Sequence, residues 1–153
     1  MNRRSGARSA ARLIELAALL ALPVMGHYVL PITVLLPTPY TYLGIPVMVA
    51  GLLVATAATQ AFRTAGTSVQ LHGKTSHLVT DGPFRMSRNP MYLGMLMWLV
   101  GLAMLLGSLT SFAFPALLFL LLNYIIVPME ERNLRQLHPQ EYAEYQRRVR
   151  RWL

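Results

Sequence analysis

Residues 89–129 read NPMYLGMLMWLVGLAMLLGSLTSFAFPALLFLLLNYIIVPM, 41 residues without a Lys, Arg, Asp or Glu. A bilayer crossing takes about 20 predominantly apolar residues, so this run holds two crossings and a short turn. Ser108 to Ser111 supply the turn, which predicts spans over 91–107 and 112–129, with Pro115 and Pro128 inside the second. A second charge-free run of 47 residues lies between Glu15 and Arg63. It divides at Pro37-Thr38-Pro39-Tyr40 into spans over 13–36 and 42–62, and Pro23 and Pro31 kink the first of these. Kinks of that kind are tolerated in membrane helices. The apolar run continues 15 residues past Ala21, too long for the core of a signal peptide, so the first segment reads as a retained span. The expected fold is all-α: one polytopic membrane domain over 1–153 with four transmembrane helices.

Composition agrees. Charged residues are 13% of the 153-residue chain, about half the usual share in soluble domains. This excludes a soluble globular domain and a disordered tail. There is no Cys, which excludes disulfides, thiolate chemistry and Cys-held zinc or iron–sulfur centres.

The charges are one-sided. Arg3, Arg4, Arg8 and Arg12 precede span one; Arg63, Lys74, Arg85 and Arg88 lie between spans two and three; the other six basic residues follow span four. The turns near 37–42 and 108–111 carry none. The positive-inside rule then places both termini and the 63–90 segment in the cytoplasm, at the inner membrane if the cell is bacterial. The net charge of +8 suits anionic lipid headgroups, and no separate basic face with stacking aromatics points to nucleic acid. The 28-residue segment 63–90, rich in Gly and Pro, has the length of a functional loop. In the tail, Tyr142, Tyr145, Val149 and Trp152 share a helical stripe that leaves Arg147, Arg148, Arg150 and Arg151 elsewhere. That pattern predicts an interfacial amphipathic helix over 139–153.

Chemistry-bearing residues gather at two boundaries. Arg88 and Asn89 stand ahead of Pro90, which suits the first turn of a helix; free backbone N–H groups there attract a carboxylate or phosphate. Glu130 and Glu131 leave span four, where adjacent acids at a helix end oppose the macrodipole and can hold a ligand cation. Plainer readings stand beside these. Arg85 and Arg88 can be snorkelling anchors, Glu130 and Glu131 can pair with Arg132 or Arg135, and Arg88 can pair with Glu131. His27 and Asn123 lie within spans, as functional groups or as helix–helix hydrogen bonds. His72 and His77 lack a metal-ligand spacing, so no metal is expected. Gly94 and Gly101 share a helix face and invite close packing by another span.

The run from His77 to Gly94 resembles the signature of the isoprenylcysteine carboxyl methyltransferase family: Leu78-Val79, then Gly82, an aromatic at Phe84, Arg88-Asn89-Pro90 where the family has Arg-His-Pro, and Tyr92-x-Gly94. Membrane phospholipid N-methyltransferases share it in looser form. Glu130-Glu131 after the last span, and Glu141-Tyr142, Tyr145, Val149, Arg151 and Trp152 in the tail, continue the resemblance to the end of the chain. Asn89 keeps a donor and an acceptor where the family has His but does not titrate near neutral pH.

The resemblance implies S-adenosylmethionine as methyl donor and a membrane lipid or lipidated molecule as acceptor, reached from the bilayer. It implies cofactor contacts at His77, Leu78, Val79, Gly82, Arg88, Asn89, Tyr92, Glu130 and Glu131, with Arg88, Asn89, Tyr92 and Glu131 serving catalysis. In that scheme Arg88 takes the cofactor carboxylate and Glu130 or Glu131 its ammonium. Tyr92, four residues beyond Arg88 on the same face, lines the adenosine or places the sulfonium. Carboxyl O-methylation and phospholipid N-methylation both stay open. A four-span transporter or assembly factor is the reading from another class. A transporter wants polar groups and broken helices at midplane, and only His27 and Asn123 come close. Reporter fusions at residues 40 and 109 should read as external; a cytoplasmic signal at either would sink the four-span topology.

Overall fold

The computed structural model describes residues 21–30, 32–64 and 78–153. Among them the architecture is all helical: α1 (21–29), α2 (Gly44–Thr64), α3 (Pro90–Leu106), α4 (Leu109–Leu121), α5 (Val127–Leu137) and α6 (Pro139–Arg148). Single 3₁₀ turns at Tyr40–Leu43 and Gly82–Arg85 precede α2 and α3, and a π turn at Leu122–Ile126 joins α4 to α5 without a break. Two helices are long and apolar enough to cross a membrane, Tyr40–Thr64 and Leu109–Leu137, and α3 is a shorter apolar helix. Their apolar surface is turned outward: Val49, Leu52, Leu53, Leu117, Leu120, Tyr124 and Ile125 are all exposed. In water each such side chain would forgo about 1.5–3 kcal/mol of burial; hydrocarbon removes that cost.

Several expected boundaries move. Span one is expected over 13–36. Its residues 13–20 lie outside the described ones, and α1 ends at residue 29, because the position before Pro31 is biased out of the α region. The chain from Ile32 instead crosses the α3–α4 turn. Leu35 and Leu36 N–H donate to the Gly107 carbonyl at 2.7 and 3.2 Å, and Leu109 N–H donates to Thr33 O at 2.8 Å. Gly107 makes that turn in the left-handed region at φ 70°, where a side chain would strain. Ser108 caps α4 by accepting from Ser111 N–H. Span four is expected to end at 129, but the helix runs on to Leu137. At 1.5 Å per residue its 29 residues measure about 43 Å, beyond the roughly 30 Å of hydrocarbon. Glu130 and Glu131 therefore lie within a continuous helix and not at its end, and the macrodipole has no bearing on them.

The C-terminal helix needs the largest correction. It is helical over Pro139–Arg148, and Val149 is already extended. Its apolar stripe does not face lipid. Tyr142 and Tyr145 are almost fully buried and form a core with Ala58, Phe84 and Val149, against Ala61, Phe62, Leu78 and Met91. Tyr145 O–H donates to Phe84 O at 2.7 Å, which gives its buried hydroxyl a partner. Periodicity marks an apolar stripe but not whether protein or lipid covers it.

α2 and α3 touch backbone to backbone. A Cβ on Gly51 would sit 2.6 Å from Gly94 O and 2.7 Å from Trp98 N; one on Gly94 would sit 2.7 Å from Ala55 N. Gly44 and Gly101 repeat the contact seven residues along each helix. The face expected from Gly94 and Gly101 is thus the α2 contact, as small residues permit in membranes. Gly94→Leu should lower unfolding stability in detergent by about 3 kcal/mol or more, while Leu120→Ala on the exposed face should change it little; equal melting of the two variants would refute this packing.

Candidate active site

Ser87, Arg88 and Asn89 lead into α3, and all three are tied to the tail beyond α6. Arg88 backbone N–H donates to Arg150 O at 3.0 Å. Ser87 O–H and Asn89 Nδ2 both donate to Arg151 O, at 3.2 and 3.0 Å. Arg88 Nη1 donates to Val149 O at 3.0 Å and to Gln146 O at 3.3 Å. The backbone groups of an extended segment lack intrahelical partners, so polar side chains must satisfy them.

Glu131 is the centre. Its carboxylate is 4% exposed. Arg88 Nη2 reaches Oε1 at 2.9 Å. Arg151 grips the carboxylate edge-on, Nε to Oε1 at 3.1 Å and Nη2 to Oε2 at 2.8 Å. Arg135, more exposed, stands at 3.5 Å. Bidentate guanidinium–carboxylate pairs are among the stronger hydrogen bonds, and a buried carboxylate requires such partners. The hydrogen bond to Glu131 raises the Arg151 pKa above its ordinary value. Burial raises both Tyr142 and Tyr145, so the two phenols stay neutral. Beside this cluster Tyr92 O–H donates to Glu130 Oε1 at 2.6 Å. Asn123, in the π turn, accepts from Trp152 Nε1 at 3.0 Å and from Arg151 Nη1 at 3.4 Å.

Of the residues expected at the site, Arg88, Asn89, Tyr92, Glu130 and Glu131 come together. Arg88 and Glu131 pair with each other, the plainer alternative raised by the sequence, with Arg151 as a third member. Leu78 and Val79 pack on the Tyr142–Tyr145 core. Gly82 turns the chain at φ 62°. His77 lies outside the described residues. Arg85 is exposed and pairs with Asp81 at 2.8 Å. Ser87, Asn123, Arg151 and Trp152 were not among the expected site residues. For Arg151 and Trp152 the signal was their place in the tail pattern; for Asn123 it was polarity within an apolar run. Among the described residues no three His, Asp or Glu side chains group as a metal would require.

The sequence pattern of the phospholipid methyltransferase family matches residues 40–141, and the chain belongs to that family. Among its relatives, "Probable protein-S-isoprenylcysteine O-methyltransferase" of Oryza sativa subsp. indica is 35% identical over 115 residues, 71% of this chain and 58% of that protein. Protein-S-isoprenylcysteine O-methyltransferase B of Arabidopsis thaliana is 32% identical over 109 residues, covering 69% and 55%. Cobalt-zinc-cadmium resistance protein CzcN of Cupriavidus metallidurans is 39% identical over 76 residues, covering 50% and 35%. The chain thus spans a little over half the length of the plant relatives it matches. No solved structure matches it.

Removing Glu131 would leave Arg88 and Arg151 facing each other without a counter-charge. Glu131→Ala should cost about 3–5 kcal/mol in detergent unfolding, and Glu130→Ala, which loses the Tyr92 bond, about 1 kcal/mol. Equal losses would show that the Glu131 carboxylate does not hold this end together.

Proposed function

We propose that the protein is an integral membrane methyltransferase that uses S-adenosylmethionine and acts on a lipid-like or prenylated acceptor, of the isoprenylcysteine carboxyl methyltransferase kind. The observation that carries this reading is the meeting of Arg88, Asn89, Tyr92, Glu130 and Glu131 at one end of an apolar helical body, in a chain of the phospholipid methyltransferase family. The cofactor suits this residue set on two counts. The buried Arg88 Nε has no acceptor among the described residues. The Arg88–Arg151–Glu131 group also keeps one positive charge in excess, which a carboxylate would balance. S-adenosylmethionine supplies an electrophilic methyl group on a sulfonium.

The chain's own residues bind and orient. Arg88 takes the carboxylate, and Glu130 or Glu131 takes the ammonium through a charge-assisted bond. Tyr92 holds Glu130 and lines the cofactor from α3. Asn89, tied to Arg151 O, keeps the α3 entry and the tail in register. Leu78, Val79 and Gly82 cover the cofactor from the cytoplasmic side, and His77 is assigned to the same site by resemblance alone. Methyl transfer is an in-line displacement, so positioning supplies most of the acceleration. A carboxylate acceptor needs no base, whereas an amine must first lose a proton. An apolar groove of about 350 Å³ between α3 and α4 supports a hydrocarbon-bearing acceptor. Leu96, Val100, Phe112, Pro115, Ala116 and Phe119 line it, and Leu96 lies one turn beyond Tyr92. We read the chain as crossing the bilayer four times, with both termini and the 63–90 segment cytoplasmic. The one-sided distribution of all fourteen basic residues supports this topology.

The test is binding of labelled S-adenosylmethionine to the purified protein, then methyl transfer to a total membrane lipid extract and to a prenylcysteine. Arg88→Ala and Glu131→Ala should each weaken S-adenosylhomocysteine binding about ten- to a hundredfold, and Arg85→Ala much less. Unchanged affinity in the first two variants would remove these residues from the cofactor site, and absence of any binding would defeat the methyl-donor reading.

A further inference from the structure

Asn123 is a polar residue inside the Leu109–Leu137 span, and the mechanism above gives it no role. Its surroundings do. It stands at the second position of the π turn, where Val127 N–H reaches back five residues to Leu122 O. In that register the next donor, for Asn123 O, would be the nitrogen of Pro128, which carries no hydrogen. Arg151 Nη1 supplies a donor instead, 3.4 Å from both Asn123 O and Asn123 Oδ1. The π turn also changes which way Asn123 points. Eight residues of ideal α-helix would set it about 80° around from Glu131. The extra residue absorbed by a π turn leaves the equivalent of a seven-residue spacing, about 20° off. Asn123 and Glu131 thus share a stripe, and one guanidinium spans both: Arg151 Nε and Nη2 on Glu131, Nη1 on Asn123. Trp152 Nε1 adds a 3.0 Å bond to the same Asn123 oxygen, and its ring packs on Phe119 with centroids 5.4 Å apart.

We propose that Asn123 is a positioning residue for the methyl-donor site: from the π turn it docks Arg151 and Trp152, so that Arg151 holds the Glu131 carboxylate in one orientation. The proposal rests on the methyltransferase reading for its consequence but not for its geometry. Asn123 acts through Arg151 and touches no reacting atom. An acceptor oxygen at position 123 is required, and an apolar side chain of similar size fails.

The experiment uses the 153-residue chain with Trp98→Phe, so that Trp152 is its sole tryptophan. S-adenosylhomocysteine affinity is measured by calorimetry, and Trp152 emission and anisotropy by fluorescence. Asn123→Leu should weaken binding about tenfold and lower Trp152 anisotropy. Asn123→Asp, which keeps the oxygen, should stay within about threefold of the parent. In a double-mutant cycle Asn123→Leu should add nothing to Arg151→Ala, as expected of residues acting as a unit. Should Asn123→Leu not assemble, Asn123→Ser, smaller and too short to reach Trp152, gives the same two readouts. Parent-like affinity and anisotropy in the Leu variant, equal losses in the Leu and Asp variants, or additive losses in the cycle would each overturn the proposal. A parent that binds no S-adenosylhomocysteine would defeat the methyl-donor reading alone; Trp152 anisotropy in the Leu and Asp variants would still decide the docking role.

Discussion

One buried carboxylate organises the polar end of this protein. Glu131 draws in Arg88 from the entry to α3 and Arg151 from the tail, residues 43 positions before it and 20 after it. A buried carboxylate without partners is prohibitively costly, so this requirement selects the conformation that brings three distant stretches together. Once Arg151 is on Glu131, Val149 O and Arg151 O fall where Arg88, Ser87 and Asn89 can donate to them. The extended tail then needs no regular partner strand. The phenols of Tyr142 and Tyr145 follow the tail inward, and the 78–85 segment closes over them.

The apolar half of the molecule is built by a different means. Within lipid, hydrophobicity does not distinguish a neighbouring helix from an acyl chain, so close approach and polar contacts decide which helices meet. Gly44 and Gly51 against Gly94 and Gly101 let α2 and α3 touch along their backbones. The α3–α4 turn is secured from outside by the 33–36 segment, whose backbone pairs with Gly107 and Leu109. α4 and α5 are one rod with a π turn in it, so the position of the acidic pair is coupled to the apolar packing of the same helix. Pro128 lies just past the turn, and the carbonyl it leaves without a backbone donor accepts from Arg151 of the tail.

Where the resemblance leads one to expect His, Asn89 uses its amide to hold the carbonyl of Arg151. That role calls for a donor and not for a titrating group. The tail, which in sequence is only a short pattern of Val, Arg and Trp, forms a wall of the candidate site. It supplies a guanidinium, three carbonyl acceptors and an indole.

Much of this was legible in the sequence because it rests on local physics. Two charge-free runs specify long apolar helices, Pro90 marks a helix start, and the polar residues near Ser108 mark a turn. The spacing of Gly94 and Gly101 marks a contact face. The run from Leu78 to Tyr92, with Glu130-Glu131, pointed to five side chains that do converge. What stayed hidden depends on which surface covers which. The stripe of Tyr142, Tyr145 and Val149 has the same period whether it meets lipid or protein, and only the packed structure sends it inward. The continuation of α4 through Glu131 to Leu137 was masked by the change from apolar to charged residues, which ends a span but not a helix. That Glu131 bonds Arg151 and not Arg132 beside it could not be read from spacing. Adjacent helical residues point about 100° apart, and the buried carboxylate takes Arg88 and Arg151, which the fold brings to it from distant stretches of the chain.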